Sequence, residues 1–264
     1  MIELQTLSKE CIIRHMEITS SQNEKIKFVK SLSQKKYRKQ HGMFVLEGEK
    51  LLLEAIKSGY KVRMLFYVDA KSIKGIESAE SYQIPNALMQ KITQMPSGTG
   101  VVAVLEQKPP DASTQTGTFL VLENVQDAGN FGAIVRTAHA CDILDIYTID
   151  CVDAFEIKTL RASMGALFHV RLHTCTLQEF MAQNTSPLIC ASMEGDNIYE
   201  QNVTLPKRCG IVLGNEGHGV SEVLRAQCLQ TISIPMKKEQ ESLNVAVSAS
   251  LIMYAIKYNL KQTK

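Results

Sequence analysis

The chain has 264 residues, 45% of them hydrophobic and 21% charged, the balance of a soluble globular protein with room for one large domain or two modest ones. No run of about eighteen or more apolar residues occurs, which excludes a membrane-spanning helix; the seven cysteines, none in a C-x-x-C pair, argue for free thiols and against a zinc site. The net charge of +2 hides an asymmetry, since residues 1–106 hold 16 Lys and Arg against 11 Asp and Glu, and the remainder 13 against 16.

Residues 1–15 are weakly patterned, with Glu3, Lys9, Glu10 and Arg14 scattered through them. They lack the apolar core of a signal peptide, so little order and a cytoplasmic location are expected. Next comes KIKFVKSLSQKKYRK, Lys25 to Lys39, with seven basic residues and no acid. Such a cluster is the electrostatic footprint of phosphate binding, and a solvated helix face gives the same composition. Lys35, Lys36, Arg38 and Lys39 are the candidate contacts, and Tyr37 among them either stacks on a base or packs.

MFVLEG reads as a strand, GEKLLLEAIKSG as a helix with Leu51, Leu52, Ala55 and Ile56 on one face, VRMLFYVD as a strand, NALMQKITQM as a helix and GVVAVLEQ as a strand. This is a small α/β unit over 1–106. QKPPDASTQTG, residues 107–117, has two prolines and no apolar anchor and reads as a linker. Over 118–264 the alternation strengthens. FLVLENV, DILDIYTID, HVRLHTC, PLICASM, GIVLGNE and TISIPM read as strands, with helices near 130–141, 154–167, 176–184, 221–228 and 243–261. Near-continuous apolar strands alternating with helices predict a parallel sheet covered on both faces, with ligands at the carboxyl ends of its strands.

Three polar corners lie at such ends. Gln126 to Gly132 follows FLVLENV; Asn130 is placed as an N-cap of the next helix, and Arg136 lies six residues further on. Asn215 to Ser221 follows GIVLG; three glycines between Gly214 and Gly219 predict a backbone that something approaches closely, with Glu216 in its middle. Ser242-Leu243-Asn244 forms the entrance to the last helix. Each corner alone is compatible with an ordinary capped helix or tight turn. Neither a G-x-G-x-x-G nor a phosphate-loop motif is present.

In this order and spacing, LENVQDAGNFGAIVRTA, IVLGNEGHGVS and ISIPM…ESLNVAVSASL resemble the three motifs of the SpoU/TrmH family of SPOUT RNA methyltransferases, over nearly all of 118–261. Residues 1–106 resemble that family's ribosomal-protein-like substrate-binding domain, with KKYRKQHGMFVLEGEKLL similar to its basic strand-entry segment and PSGTGVVAV a looser turn than usual. The resemblance implies a knotted α/β sheet and methyl transfer from S-adenosyl-L-methionine to a ribose 2′-hydroxyl. The expected substrate is ribosomal RNA, at guanosine or uridine; the alternatives are a tRNA 2′-O-methyltransferase and a non-catalytic RNA-binding or assembly factor. It places cofactor contacts on Leu213, Gly214, Ile234, Met236 and Leu243, the catalytic polar set on Asn130, Arg136, Glu216, Ser242 and Asn244, and RNA contacts on Lys35, Lys36, Arg38 and Lys39. No metal is implied.

Arginine is effectively always protonated, so Arg136 is read as the holder of a phosphate and stabiliser of the developing alkoxide, not as a base. His139 and His218 match no role and are read as structural. The stretch Arg161 to Ala166 either touches RNA or packs helices. The resemblance also implies a homodimer through the last helix, where Val245, Ala249, Ile252, Met253 and Ile256 follow helical spacing; a single-chain core gives the same stripe.

Overall fold

The computed structural model describes residues 15–94, 99–109, 117–200, 203–237, 239, 242–258 and 262–263. Apart from His15, the weakly patterned N-terminal stretch lies outside the described residues, as does most of the expected linker. The chain divides into two compact units, Met1–Gln107 and Lys108–Lys264.

The first unit runs β1 (His15–Glu17), α1 (Glu24–Ser31), α2 (Lys35–His41), β2 (Met43–Glu47), α3 (Glu49–Lys57), β3 (Val62–Tyr67), β4 (Glu80–Gln83), α4 (Asn86–Ile92) and β5 (Val101–Glu106). Its sheet has the order β1-β4-β3-β5-β2 and is mixed, with β5 antiparallel to both neighbours. The basic run folds as α1 and α2. Asn23 caps α1 by accepting from the Lys25 amide at 2.9 Å, and α2 ends on Gly42 at φ 61°. β4 was not legible, because ESYQ has neither β-branched residues nor a continuous apolar run; parallel pairing with β3 and β1 makes it a strand.

The second unit runs β6 (Phe119–Glu123), α5 (Ala128–Ala140), β7 (Asp145–Ile149), α6 (Ile157–Ala162), β8 (Arg171–Cys175), α7 (Leu177–Gln183), β9 (Leu188–Asn197), β10 (Leu205–Pro206), β11 (Gly210–Leu213), α8 (Glu222–Arg225), β12 (Cys228–Ser233), α9 (Val245–Tyr258) and β13 (Gln262–Thr263). Every ladder of its six-stranded sheet, β12-β9-β11-β6-β7-β8, is parallel. The chain builds outward from β6 to β8 on one side, then returns to build β9, β11 and β12 on the other. The reversal point therefore lies at the hydrogen-bonded pair β6 and β11, where a crevice is expected at the carboxyl ends. The first two corners follow these two strands.

The helix expected over 154–167 stops at Ala162. Met164 and Gly165 take φ of 51° and 91°, which ends the α-helix, and a 3₁₀ turn covers Ala166–His169. Gly132 of α5 packs directly on α6: a Cβ there would collide with Ala162 and the Ser163 amide. Of the two readings of Arg161 to Ala166, helix packing thus has a structural basis. β12 starts at Cys228 and leaves α8 a single turn, shorter than the 221–228 expected.

Candidate active site

The first corner differs from expectation at its cap. Asp127, not Asn130, is the N-cap of α5, its Oδ1 accepting from the Asn130 amide at 2.7 Å. Asn130 is the third residue of the helix, and its side chain is released for other partners. Its Nδ2 donates to Glu216 Oε1 at 2.9 Å, and its Oδ1 accepts from Asn244 Nδ2 at 2.9 Å. One side chain thereby joins all three corners, which the sequence separates by 86 and 114 residues.

The second corner is a closed hairpin. Asn215 and Gly219 exchange both backbone hydrogen bonds, at 3.0 and 2.9 Å. Asn215 Oδ1 accepts from the amides of Gly217 at 2.8 Å and His218 at 3.2 Å, and its Nδ2 donates to the Asn124 carbonyl at 3.0 Å. Two of the three glycines have separate reasons. Gly219 has φ 68°, and Gly214 is buried where a Cβ would strike the backbone of Gly219 and Val220. The close approach at Gly214 is made by the chain's own loop.

The third corner belongs to Asn244, whose Oδ1 accepts from the amides of Ala246 at 2.9 Å and Val247 at 3.3 Å. It therefore caps α9 while its amide group reaches Asn130. β12 is the edge strand, yet α9, the next helix in the chain, meets the helix that follows β6. Ser242 is exposed two residues before Asn244. The apolar side chains of Ile234, Met236 and Leu243 are half-buried, as suits walls around a flat, largely apolar ring. Leu213 differs: it is sealed in the core at the end of β11, which leaves only its main chain for a ligand.

Arg136 is exposed, and among the described residues its side chain makes no hydrogen bond or ion pair. Six residues at about 100° each put it about 120° around α5 from Asn130. The Asn130 face is instead extended by Thr137, whose Oγ1 meets Ser250 Oγ of α9 at 3.1 Å. Arg136 is thus not gathered with Asn130, Glu216 and Asn244 of its own chain. His218 is exposed in the hairpin, and His139 stacks on His169 with ring centroids 4.9 Å apart.

Two features of the site were missed. Glu123, at the end of β6, accepts from Ser221 N at 2.7 Å and Ser221 Oγ at 2.6 Å. β9 also breaks register with β12: Thr231 faces Cys190 while Ile232 faces Asp196. The residues between, 191–195, bulge at the carboxyl edge, and Gly195 is packed so tightly on Thr231 and Ile232 that a Cβ would collide with their backbone. A glycine inside a strand was the available signal for the bulge. Nearby, Cys151 donates to the Leu122 carbonyl at 3.2 Å, and burial pushes its thiol up to about 11, which disfavours the thiolate. Among the described residues no group of His, Cys, Asp or Glu is arranged to hold a metal ion.

In the first unit, Lys35, Lys36 and Lys39 are exposed on α2. Arg38 is not: it is 3% exposed, and its guanidinium donates to the carbonyls of Leu32 at 2.9 Å and Ser33 at 2.7 Å, just past α1. Its expected RNA contact is corrected to a helix-capping role. Tyr37 packs against the unit's hydrophobic core, and Lys25 is held by Glu80 at 2.6 Å.

The segment that carries these polar corners falls within the model of a known family. The model of the SpoU rRNA Methylase family matches residues 117–254. The chain belongs to the SpoU rRNA Methylase family. The MRM3-like substrate binding domain matches residues 23–103. A 23S rRNA (guanosine-2′-O)-methyltransferase of Bacillus subtilis is 28% identical, covering 91% of this chain and 99% of its own length. An uncharacterised tRNA/rRNA methyltransferase of Synechocystis is 31% identical over 90% of this chain and 92% of its own length. Among solved structures, the AdoMet-bound rRNA methyltransferase of Sinorhizobium meliloti superimposes with a TM-score of 0.82 at 25% identity, covering 94% of this chain and 99% of that one.

Proposed function

We propose that this SpoU family chain is an S-adenosylmethionine-dependent RNA methyltransferase that methylates a ribose 2′-hydroxyl of ribosomal RNA. The observation that carries the reading is the Glu216–Asn130–Asn244 chain of hydrogen bonds, which makes one site of three corners. The cofactor supplies an electrophilic methyl on a sulfonium. Ile234, Met236 and Leu243 would wall its ring, with the main chain at Leu213 and Gly214 beside them. Asn130, fixed from both sides, and Ser242 at the rim would orient the ribose.

Arg136 would hold the neighbouring phosphate and stabilise negative charge on the 2′-oxygen, with a phosphate oxygen or water taking the proton. Its exposed position, unpaired among the described residues, suits service to the site of a second copy. The stripe expected for such a dimer, Val245, Ala249, Ile252, Met253 and Ile256, is buried within its own chain. The opposite face of α9 carries another stripe, Val247, Leu251, Tyr254 and Tyr258, at i, i+4, i+7 and i+11. All four are exposed, Tyr258 at 68%. A row of this kind on one helix suits a homodimer interface. The remaining parts of the proposal are a trefoil threading of residues after β12, RNA phosphate contacts by Lys35, Lys36 and Lys39, and a cytoplasmic location. Mapping 2′-O-methyl positions on total RNA with and without the gene tests it: one ribosomal position should lose its methyl, and an unchanged map would refute the assignment.

A further inference from the structure

Glu123 is a carboxylate outside the polar set of the three corners, and it is only 8% exposed. A buried carboxylate is retained at low cost only when donors meet it. Here both donors belong to one residue of the second corner, the Ser221 amide at 2.7 Å and hydroxyl at 2.6 Å. The next residue, Asn124, takes φ 55° and offers its carbonyl to Asn215 Nδ2 at 3.0 Å. Glu123 at the end of β6 and Asn124 just after it therefore pin the two ends of the Asn215–Ser221 hairpin. Between the pins the hairpin is closed on itself through Asn215 and Gly219, and Glu216 is presented to Asn130.

We propose that Glu123 is a positioning residue for the cofactor site, acting through Ser221 to set the hairpin that carries Glu216. This rests on the reading that the hairpin borders S-adenosylmethionine. Capping α8 alone would not need a carboxylate, because Ser221 Oγ itself accepts from the Leu224 amide at 3.3 Å. Glutamate accepts both Ser221 donors at once. Glutamine presents one oxygen for the Ser221 amide, while its NH₂ forces the Ser221 hydroxyl to turn from donor to acceptor, so two charge-assisted bonds are replaced by neutral ones.

The test is calorimetric titration of the full chain with S-adenosylmethionine, reading dissociation constant and stoichiometry separately. Glu123→Gln should weaken binding by about tenfold or more at unchanged stoichiometry, as expected for losing a hydrogen bond to a charged group. Glu123→Asp, which keeps two acceptor oxygens, should recover part of it. Ser221→Ala should weaken binding less, and the double variant should be no worse than Glu123→Gln alone. An unchanged dissociation constant in folded Glu123→Gln, or a fall in stoichiometry alone, overturns the proposal. If Glu123→Gln does not fold, Ser221→Ala decides, and unchanged binding there overturns it. Gly214→Ala separates the two levels. Unchanged binding in Gly214→Ala means the hairpin is not at the cofactor. Weakened binding there with unchanged Glu123→Gln removes only the role of Glu123.

Discussion

Asn130 and Asn244 lie 114 residues apart in sequence and 2.9 Å apart through their side chains. The contact exists because Asp127 takes over the cap of α5, while Asn244 caps α9 with its oxygen and keeps its amide group free to donate. Each asparagine thus serves two partners, and Asn130 must donate to Glu216 and accept from Asn244 at once.

This two-way demand fixes the ranking of Asn130 variants. Asn130→Ala should lower kcat/KM by about a hundredfold, the scale of misplaced reacting groups. Asn130→Asp should be no better, since it sets a second carboxylate against Glu216. Both should keep the fold, because the helix cap is Asp127. Circular dichroism and steady-state methylation check this; an Asn130→Asp enzyme near parental activity would contradict it.

Gly132 and Gly214 look alike in sequence but should fail differently. Gly132→Ala forces α5 and α6 apart and should cost about 1–3 kcal/mol of stability, the range for overpacking. Its effect should appear in the unfolding midpoint, with cofactor affinity kept. Gly214→Ala displaces the hairpin and should lose cofactor affinity at a smaller cost in midpoint. Thermal unfolding with and without S-adenosylmethionine separates the two.

Arg136 as a fixed positive charge predicts partial function in Arg136→Lys, with the parental pH–rate profile. An arginine base would instead require a rate still climbing above about pH 10, lost in the lysine variant. Mixed dimers of one Arg136→Ala chain and one Asn244→Ala chain should recover one working site of two if Arg136 serves the other copy. No recovery would place Arg136 at its own site.

The exposed stripe of α9 predicts that Leu251→Glu with Tyr254→Glu yields a folded monomer by sedimentation, since both side chains point away from the chain's own core. A variant that stays dimeric would put the interface elsewhere.

Much of this was legible from the sequence, for identifiable reasons. The second unit alternates apolar strands with helices strongly enough to give the parallel sheet, and polar residues cluster where its strands end. The partners of those residues were not legible. Asn130 reads as a cap because Asp127 competes for the same role only once the helix starts at Ala128. Arg38 sits in a run of seven basic residues, and only the turn between α1 and α2 reveals that it faces inward. The small apolar stripe of α9 fits an interface and a core equally; burial assigns it to the core and exposes the row of Val247, Leu251, Tyr254 and Tyr258.

The most direct test is transfer of a labelled methyl from S-adenosylmethionine to ribosomal RNA from a strain lacking the gene, followed by alkaline hydrolysis. A methylated 2′-oxygen cannot take part in cleavage, so the label should appear in an alkali-resistant dinucleotide, and Asn130→Ala should slow its appearance by about a hundredfold. Label on a base or in a mononucleotide, or no incorporation by the folded, cofactor-binding enzyme, would contradict a ribose-methylating site built from these three corners.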